Sequence, residues 1–336
     1  MTAADVAVVI PNYQGESLLP DTLLALERAV DGAAARVEVV VCDDASSDAS
    51  VEIVRRRFPS VRLLCRATNG GFGAACNTAA AAVSSPLIYF LNSDAHPAPG
   101  FLAPLLPHFD DEQVFAVMSL NVAPDGRAQN PVQTTPRVRF GQLRLPAAEG
   151  LQHPGAFAAL QALGPLPTLY GSGSSLLVRR DRFVELGGFC ELFSPFYYED
   201  LDLGWRAWHR GWTCLIEPLS VVVHQAGGTI SATRPRRRVA VLRKRNRLFA
   251  LWRNCLDGRT LLWHHLLPLP LHLLGRLARL DDTPVAGLAQ ALHELGAVRA
   301  HRREERRSMA RTDREIVAVL DAAHERLQLA LRAAAP

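Results

Sequence analysis

Short apolar runs alternate with stretches of helical spacing along the first hundred residues. Val6-Ala7-Val8-Val9-Ile10 is apolar and rich in β-branched residues, and Pro11-Asn12-Tyr13 closes it, so it reads as a buried strand ending in a turn. Residues 17–30 carry apolar side chains at helical spacing, with Ser17 or Asp21 available as a cap. A second strand over 37–42 ends on Asp43 and Asp44, and a helix over 48–58 follows, capped by Asp48 or Ser47. Residues 61–64 form a third strand, and Asn69-Gly70-Gly71-Phe72-Gly73 opens a helix over 73–83. Residues 87–92 are apolar until Asn92, which predicts a strand buried on both faces. Strands alternating with helices imply a mostly parallel sheet with right-handed crossovers, an α/β Rossmann-like half.

From about 101 to 165 the pattern loosens. Prolines at 124, 131, 136, 146 and 154 suggest a variable connection crossing the face of the sheet. Order returns at 169–180, a strand approached through the small residues Gly171-Ser172-Gly173-Ser174, which leave space for a ligand or another backbone. A helix over 181–187 ends at Gly187-Gly188, which can adopt the left-handed cap. A further helix starts at Glu199, with Leu201, Trp205 and Trp208 as its apolar stripe and Gly211 as its cap. Strands over 213–216 and 221–224 follow. Beyond them, 239–256 is an amphipathic basic helix, 261–274 is apolar but broken by prolines, and 285–332 holds two or more Ala/Leu/Arg helices with solvated charged faces.

Composition adds little to the fold but something to the partners. A chain of 336 residues that is 49% hydrophobic and 21% charged supports one large domain plus an appended one. The net charge of +4 is mild, yet the basic residues crowd into 234–247 and 299–314. That asymmetry points to an anionic partner of the C-terminal third, and the lack of interleaved aromatic residues argues against nucleic acid. Six cysteines without CxxC pairing read as reduced, buried thiols of a cytoplasmic protein. The N-terminus enters a strand with no basic leader, and no apolar run reaches the roughly 18 residues needed to span a bilayer.

Candidate chemistry gathers at strand ends, where open α/β sheets bind ligands. Asp94, beside Asn92 and Ser93, is placed to hold a hard divalent cation or, more simply, to cap a turn. Asp43 and Asp44 can take hydrogen bonds from a ribose or a base, or cap the next helix. The Gly70–Gly73 segment offers backbone N–H groups and a helix start to an anion. Glu199, Asp200 and Asp202 crowd one first helical turn. The helix dipole accounts for acids there, but not for three of them directly behind the aromatic cluster Phe196-Tyr197-Tyr198, which would wall a pocket. His224 ends a strand ahead of Gly227-Gly228, where a structural role is the simpler reading.

Taken in order, VVIPNYQGESLLPDTLLAL, VVVCDDASSDAS, NGGFGAACN, LNSDAHP, GSGSSLLVRRDRFVELGGF, FYYEDLDLGWRAWHRGW and VVHQAGGT resemble family 2 glycosyltransferases of the GT-A fold, in particular the bacterial rhamnosyltransferase-like branch, over about residues 6–230. The resemblance implies that Asp43 and Asp44 bind the base and ribose, in a nucleotide site shared by Pro11, Asn12, Tyr13, Asn69, Gly71, Phe72, Asn92 and Ser93. Asp94 would be the metal-binding end of the DxD element, reduced here to Asn92-Ser93-Asp94, and His224 would approach the metal or diphosphate. Asp200 would be the general base, with Glu199 orienting it or the acceptor, and Gly171, Ser172, Tyr198 and Trp205 would line the acceptor side. Cys190 stands where the family usually has an Asp. The implied cofactor is Mg²⁺ or Mn²⁺. The implied partners are a dTDP- or UDP-linked sugar and a saccharide or lipid-linked acceptor, in bacterial surface polysaccharide synthesis.

The chemistry agrees. One base and no nucleophile opposite predict single displacement with inversion, and the leaving diphosphate needs its charge neutralised. A catalytic domain over 1–235, with a nucleotide half of about 1–100 and an acceptor half of about 165–235, would precede a helical region over 236–336. That region could meet the inner face of the membrane, a second copy, or the catalytic domain itself. Two rival readings are a sugar nucleotidyltransferase, which would want a basic Gly-rich loop after the first strand, and an inactive sugar-nucleotide-binding or scaffolding subunit, which the thinned DxD keeps open.

Overall fold

The computed structural model of the protein describes residues 5–129, 132–151, 153, 155–224 and 235–334; the Gly227-Gly228 loop lies outside them. The elements run β1 (Val6–Asn12), α1 (Leu19–Val30), β2 (Val37–Asp43), α2 (Ser50–Arg57), β3 (Arg62–Cys65), α3 (Phe72–Ala82), β4 (Leu87–Leu91) and β5 (Ala95–Pro97). Then come β6 (Val114–Val122), β7 (Arg137–Arg139), β8 (Gln142–Arg144), α4 (Ala156–Leu163), β9 (Leu166–Pro167), β10 (Ser175–Arg179), α5 (Arg180–Glu185), α6 (Glu199–His209) and β11 (Thr213–His224). Helices Arg236–Asn254, Gly258–Leu266, Pro268–Leu277, Thr283–His293, Leu295–Ser308 and Asp313–Ala333 complete the described chain.

The main sheet runs β3-β2-β1-β4-β10-β6-β11-β5, with β9 paired to β11. Strands β3, β2, β1 and β4 are parallel, and β10 enters antiparallel between β4 and β6. The apolar runs are continuous because both faces are covered. Val6, Val8 and Ile10 pack with Leu19, Leu23 and Leu26 of α1, while Ala7 and Val9 pack in the cluster that holds Cys76 and Ala79 of α3. The second cluster extends without a break to Phe249, Leu320 and Leu327, so the C-terminal helices share the core of the sheet's α3 face.

Several expectations need correction. No side chain caps α1; Leu18 occupies the cap position, Pro20 lies in the first turn, and the Gly15 carbonyl accepts from the Leu18 and Leu19 amides at 3.0 and 2.9 Å. The connection read as irregular contains β6, nine consecutive buried residues inside the sheet. Its apolar run is flanked by prolines, which interrupt the periodic pattern on either side. The strand read over 169–180 is regular only at Ser175–Arg179, and the two short strands after α6 are one, with a register shift between Glu217 and Val221. Helix α6 is buried nearly all round, not along one stripe, because the C-terminal helices cover its outer side. Gly187, Gly188 and Gly211 take φ of +76°, +69° and +87°, as helix-ending glycines should.

The C-terminal charges are not simply solvated. Buried Asp202 accepts from Arg206 at 2.8 Å, Arg253 at 2.9 Å and Asn254 at 2.8 Å, and Glu305 accepts from Arg210 at 3.0 Å. None of the six cysteines is in a disulfide; Cys65 is exposed, contrary to expectation, and burial pushes the Cys42 and Cys255 thiols up to about 12. Among the described residues no helix is long and apolar enough to cross a membrane.

Candidate active site

The parallel strands β1, β2 and β4 all end at one edge of the sheet. Because β10 runs the other way, its beginning reaches that same edge, which brings the Gly171–Ser174 segment to the ends of the other strands. The Asn92 amide donates to the Ser174 carbonyl at 3.1 Å, and Ser174 Oγ accepts from Asn121 of β6 at 2.9 Å. This polar edge collects almost every residue singled out from the sequence.

At the β1/β2 end, Asn12 Nδ2 donates to Asp43 Oδ1 at 2.8 Å, and the Ser46 amide donates to Asp43 Oδ2 at 2.9 Å. Pro11 and Tyr13 flank Asn12, half-buried. Asp44 accepts from Arg66 Nε at 2.8 Å and from the Gly70 and Gly71 amides at 3.0 and 2.7 Å, while Asn69 Nδ2 donates to its carbonyl at 3.2 Å. The anion held by the glycine amides is therefore the protein's own Asp44 carboxylate rather than a phosphate. Gly71 sits at φ +86°, and a Cβ there would run into the Pro195 carbonyl. Phe72 lies against Gly173, whose added Cβ would meet the ring at 2.6 Å.

Further along the edge, β5 pairs with β11 so that His224 lies opposite Ala95. That register sets His224 Nε2 3.2 Å from Asp94 Oδ1, both side chains partly open to solvent. Asp94 and His224 could each offer one atom to a metal ion. Among the described residues no group of three or more His, Cys, Asp and Glu that could hold a metal ion is present. Asp94 would supply the carboxylate oxygen that a Mg²⁺- or Mn²⁺-like ion favours, and the remaining oxygens would have to come from substrate phosphates and water.

Asp200 lies in the first turn of α6. Its Oδ2 accepts from the Gly173 amide at 3.3 Å and its Oδ1 from the Leu201 amide at 2.8 Å. Burial outweighs those bonds and pushes its carboxyl up to about 6. Glu199 is more deeply buried, with Oε2 unpartnered; burial and then the neighbouring Asp200 raise its carboxyl well above the usual range. Tyr197 and Tyr198, just before the helix, have φ of +76° and +77°, a conformation that non-glycine residues hold only under constraint.

The constraint comes from outside the motif. Asn246, wholly buried in the Arg236–Asn254 helix, reaches the carbonyls of Phe193, Phe196 and Tyr197 with Nδ2 at 2.6, 2.9 and 3.0 Å. Arg245 donates to the Ser194 carbonyl at 2.6 Å, Arg247 Nε to Tyr198 Oη at 3.1 Å, and the Arg243 guanidinium lies 4.3 Å from the Tyr197 ring centroid. A run that reads as a basic surface helix is thus a clamp on the loop that delivers Asp200. The Asn within the run was its sequence signal. Trp205 lies away from this edge: its indole N–H donates to Asp313 at 3.3 Å in a cavity of about 860 Å³ lined by the C-terminal helices.

Residues 7–187, more than half the chain, match glycosyl transferase family 2. The chain belongs to that family. It is 30% identical over 230 residues to the N-acetylglucosaminyl-diphospho-decaprenol L-rhamnosyltransferase of Mycobacterium tuberculosis, covering 64% of this chain and 72% of that one. A pre-mycofactocin glycosyltransferase of the same organism is 29% identical over 226 residues, 66% of this chain and 42% of that one. Among solved structures, the mannosyltransferase PcManGT from Pyrobaculum calidifontis, in complex with GDP-Man and Mn²⁺, superimposes with a TM-score of 0.53 at 19% identity, covering 99% of this chain and 87% of that one. GalNAc-T7 with UDP, GalNAc and Mn²⁺ gives a TM-score of 0.57 at 15% identity, covering 88% of this chain and 58% of that one. The fold of this family 2 glycosyltransferase is therefore GT-A, with a mostly parallel sheet and a C-terminal helical region.

Proposed function

We propose that this family 2 enzyme transfers rhamnose from a dTDP- or UDP-linked donor to a hydroxyl of a lipid-linked or saccharide acceptor, with inversion, at the inner face of the bacterial membrane. The observation that carries this reading is the convergence on one sheet edge of the Asp94–His224 pair and of Asp200, a carboxyl raised to about 6. A general base works best with a pKa near the operating pH, and Asp200 is mostly ionised at neutrality while still basic enough to accept a hydroxyl proton. Asn12, Asp43 and the Asp44–Gly70–Gly71 unit form the nucleotide end, with the base and ribose against β1 and β2. Tyr13, Asn69, Phe72, Asn92 and Ser93 line it towards the diphosphate. Asp94 and His224 would hold Mg²⁺ or Mn²⁺, which neutralises charge on the departing diphosphate. Gly171, Ser172 and Tyr198 border the acceptor position beside Asp200, and Glu199, buried at the start of α6, stands behind it. The rhamnosyl and lipid-linked readings draw on the mycobacterial relative, whose name includes both.

The test is a panel of nucleotide sugars assayed for hydrolysis and transfer with and without Mg²⁺ or Mn²⁺. Metal-dependent turnover of a dTDP- or UDP-linked deoxyhexose, with product of inverted anomeric configuration, is the expected result. Turnover of a different sugar alone would overturn the rhamnosyl assignment, and retention of configuration would overturn the role of Asp200.

A further inference from the structure

Eight of the fourteen exposed large apolar side chains among the described residues lie between Leu262 and Leu280. They are not scattered. Leu262, Trp263 and Leu266 project from the Gly258–Leu266 helix, Leu267 from the joint, and Leu271 and Leu274 from the Pro268–Leu277 helix, each between 56% and 68% exposed. The pair of helices is nevertheless anchored on its other side. Leu269 is buried against the turn between β7 and β8, where a Cβ on Gly141 would stand 2.5 Å from the Leu269 Cβ, and Trp252 Nε1 meets His265 Nε2 at 2.8 Å. A contiguous apolar face of this kind marks a docking surface.

Charge selects the occupant. From Gly258 to Leu280 the chain has no Asp or Glu but carries Arg259, Arg276 and Arg279. Beside the same helices, Arg144, Arg247 and Arg276 lie close to both Lys244 and His272, with Arg276 itself held by Asp281. Burial first, and then this crowd of cations, lowers the affinity of Lys244 and His272 for their protons. Arg247 in turn donates to Tyr198 at the edge of the active site. Apolar side chains flanked by cations that outnumber the single acid Asp281 suit anionic lipid headgroups above acyl chains, whereas a second copy of this surface would bring like charges together.

We propose that the Gly258–Leu277 helical hairpin and the Arg144–Lys244–Arg276 cluster together dock on an anionic lipid bilayer, holding the Tyr198 side of the active site at the membrane. The purpose of docking rests on the lipid-linked acceptor proposed above, but vesicle binding is read without any turnover, and donor hydrolysis in solution tests the transferase reading separately.

The full-length chain would be sedimented with vesicles of phosphatidylcholine alone, and with vesicles in which a third of the lipid is phosphatidylglycerol, while tryptophan fluorescence is recorded. Binding to the anionic vesicles at least tenfold tighter than to the neutral ones, weakened by salt, with a blue shift that Trp263→Phe abolishes, is expected. Leu266→Glu with Leu271→Glu should lose about a hundredfold in binding with an unchanged Tm, and Arg144→Gln about fivefold. The proposal is overturned if the wild type ignores anionic vesicles, or if the Leu→Glu pair binds as the wild type does. It is equally overturned if the wild type is a dimer that the Leu→Glu pair renders monomeric while neither binds vesicles.

Discussion

Asn246→Ala removes one buried side chain 46 residues beyond Asp200, and we expect it to cost the enzyme more in turnover than in stability. The amide carries two protons and meets three carbonyls, those of Phe193, Phe196 and Tyr197 at 2.6, 2.9 and 3.0 Å, so one proton is shared. Each such bond contributes about 1 kcal/mol net, and carbonyls left buried without a donor make the loss about 2–3 kcal/mol. For a chain of this size that is roughly 3–4 °C in Tm. The larger consequence is local. Tyr197 and Tyr198 hold their positive φ because this amide and Arg247 keep them there, and Asp200 follows directly. A catalytic group misplaced by about 1 Å can lose roughly a hundredfold. Steady-state assay of the folded variant at 25 °C should show kcat down ten- to a hundredfold with the donor KM little changed, since Asn12 and Asp43 lie on other elements. Asn246→Asp, which turns a donor into an acceptor facing three carbonyls, should be at least as damaging. Wild-type turnover in Asn246→Ala, even with a lowered Tm, would refute the positioning argument; an unchanged Tm would refute the bonding argument too.

Other outcomes follow from the same geometry. Asp200→Asn should abolish transfer by about a thousandfold or more and yet raise Tm at neutral pH; equal or lower Tm across pH 4–8 would count against a buried, raised carboxyl. The sign follows from the shift: burial raises the folded value to about 6 from 3.8, so the destabilisation by Asp200 grows between those values and is complete above about pH 6. For the same reason kcat/KM should rise through about pH 6 in the wild type, and a profile flat from pH 5 to 8 would assign the base elsewhere. Asp94→Ala and His224→Ala should each raise the Mn²⁺ concentration needed for half-activation by at least about tenfold, read by metal titration of donor hydrolysis, and a shift in neither would remove the metal from this pair. Arg253→Met should destabilise by about 3–5 kcal/mol in chemical denaturation at pH 7, because wholly buried Asp202 loses one of its two guanidinium partners; a loss under 1 kcal/mol would mean that Arg206 and Asn254 suffice.

How legible these features were depended on how local their causes are. Strands β1, β2 and β4 announced themselves because burial on both faces demands unbroken apolar runs. Asp43, Asp94 and Asp200 stood out because strand ends and helix starts are marked by short-range signals. β6 has the same apolar character, but nothing in a single sequence says that a strand 23 residues beyond β4 will be inserted beside an antiparallel β10. The amides of Gly70 and Gly71 could not be paired with Asp44 from the sequence, since only the turn after β2 aims that carboxylate at them. The RKRNR run was harder still. Its partners are backbone carbonyls of residues 192–197, invisible to any count of charge.

The buried amide of Asn246 and the guanidinium of Arg253 also bear on how this scaffold can be recombined. The match to the family ends at residue 187, but a protein engineer exchanging C-terminal modules between relatives would naturally cut beyond it, after β11 ends at His224. Such a graft would separate the Phe193–Tyr198 loop and Asp202 from the helix that satisfies them, leaving carbonyls and a carboxylate without donors in a closed interior. The exchangeable unit is therefore discontinuous, residues 193–206 travelling with 243–254, and chimeras that respect that pairing should fold where those cut after β11 should not.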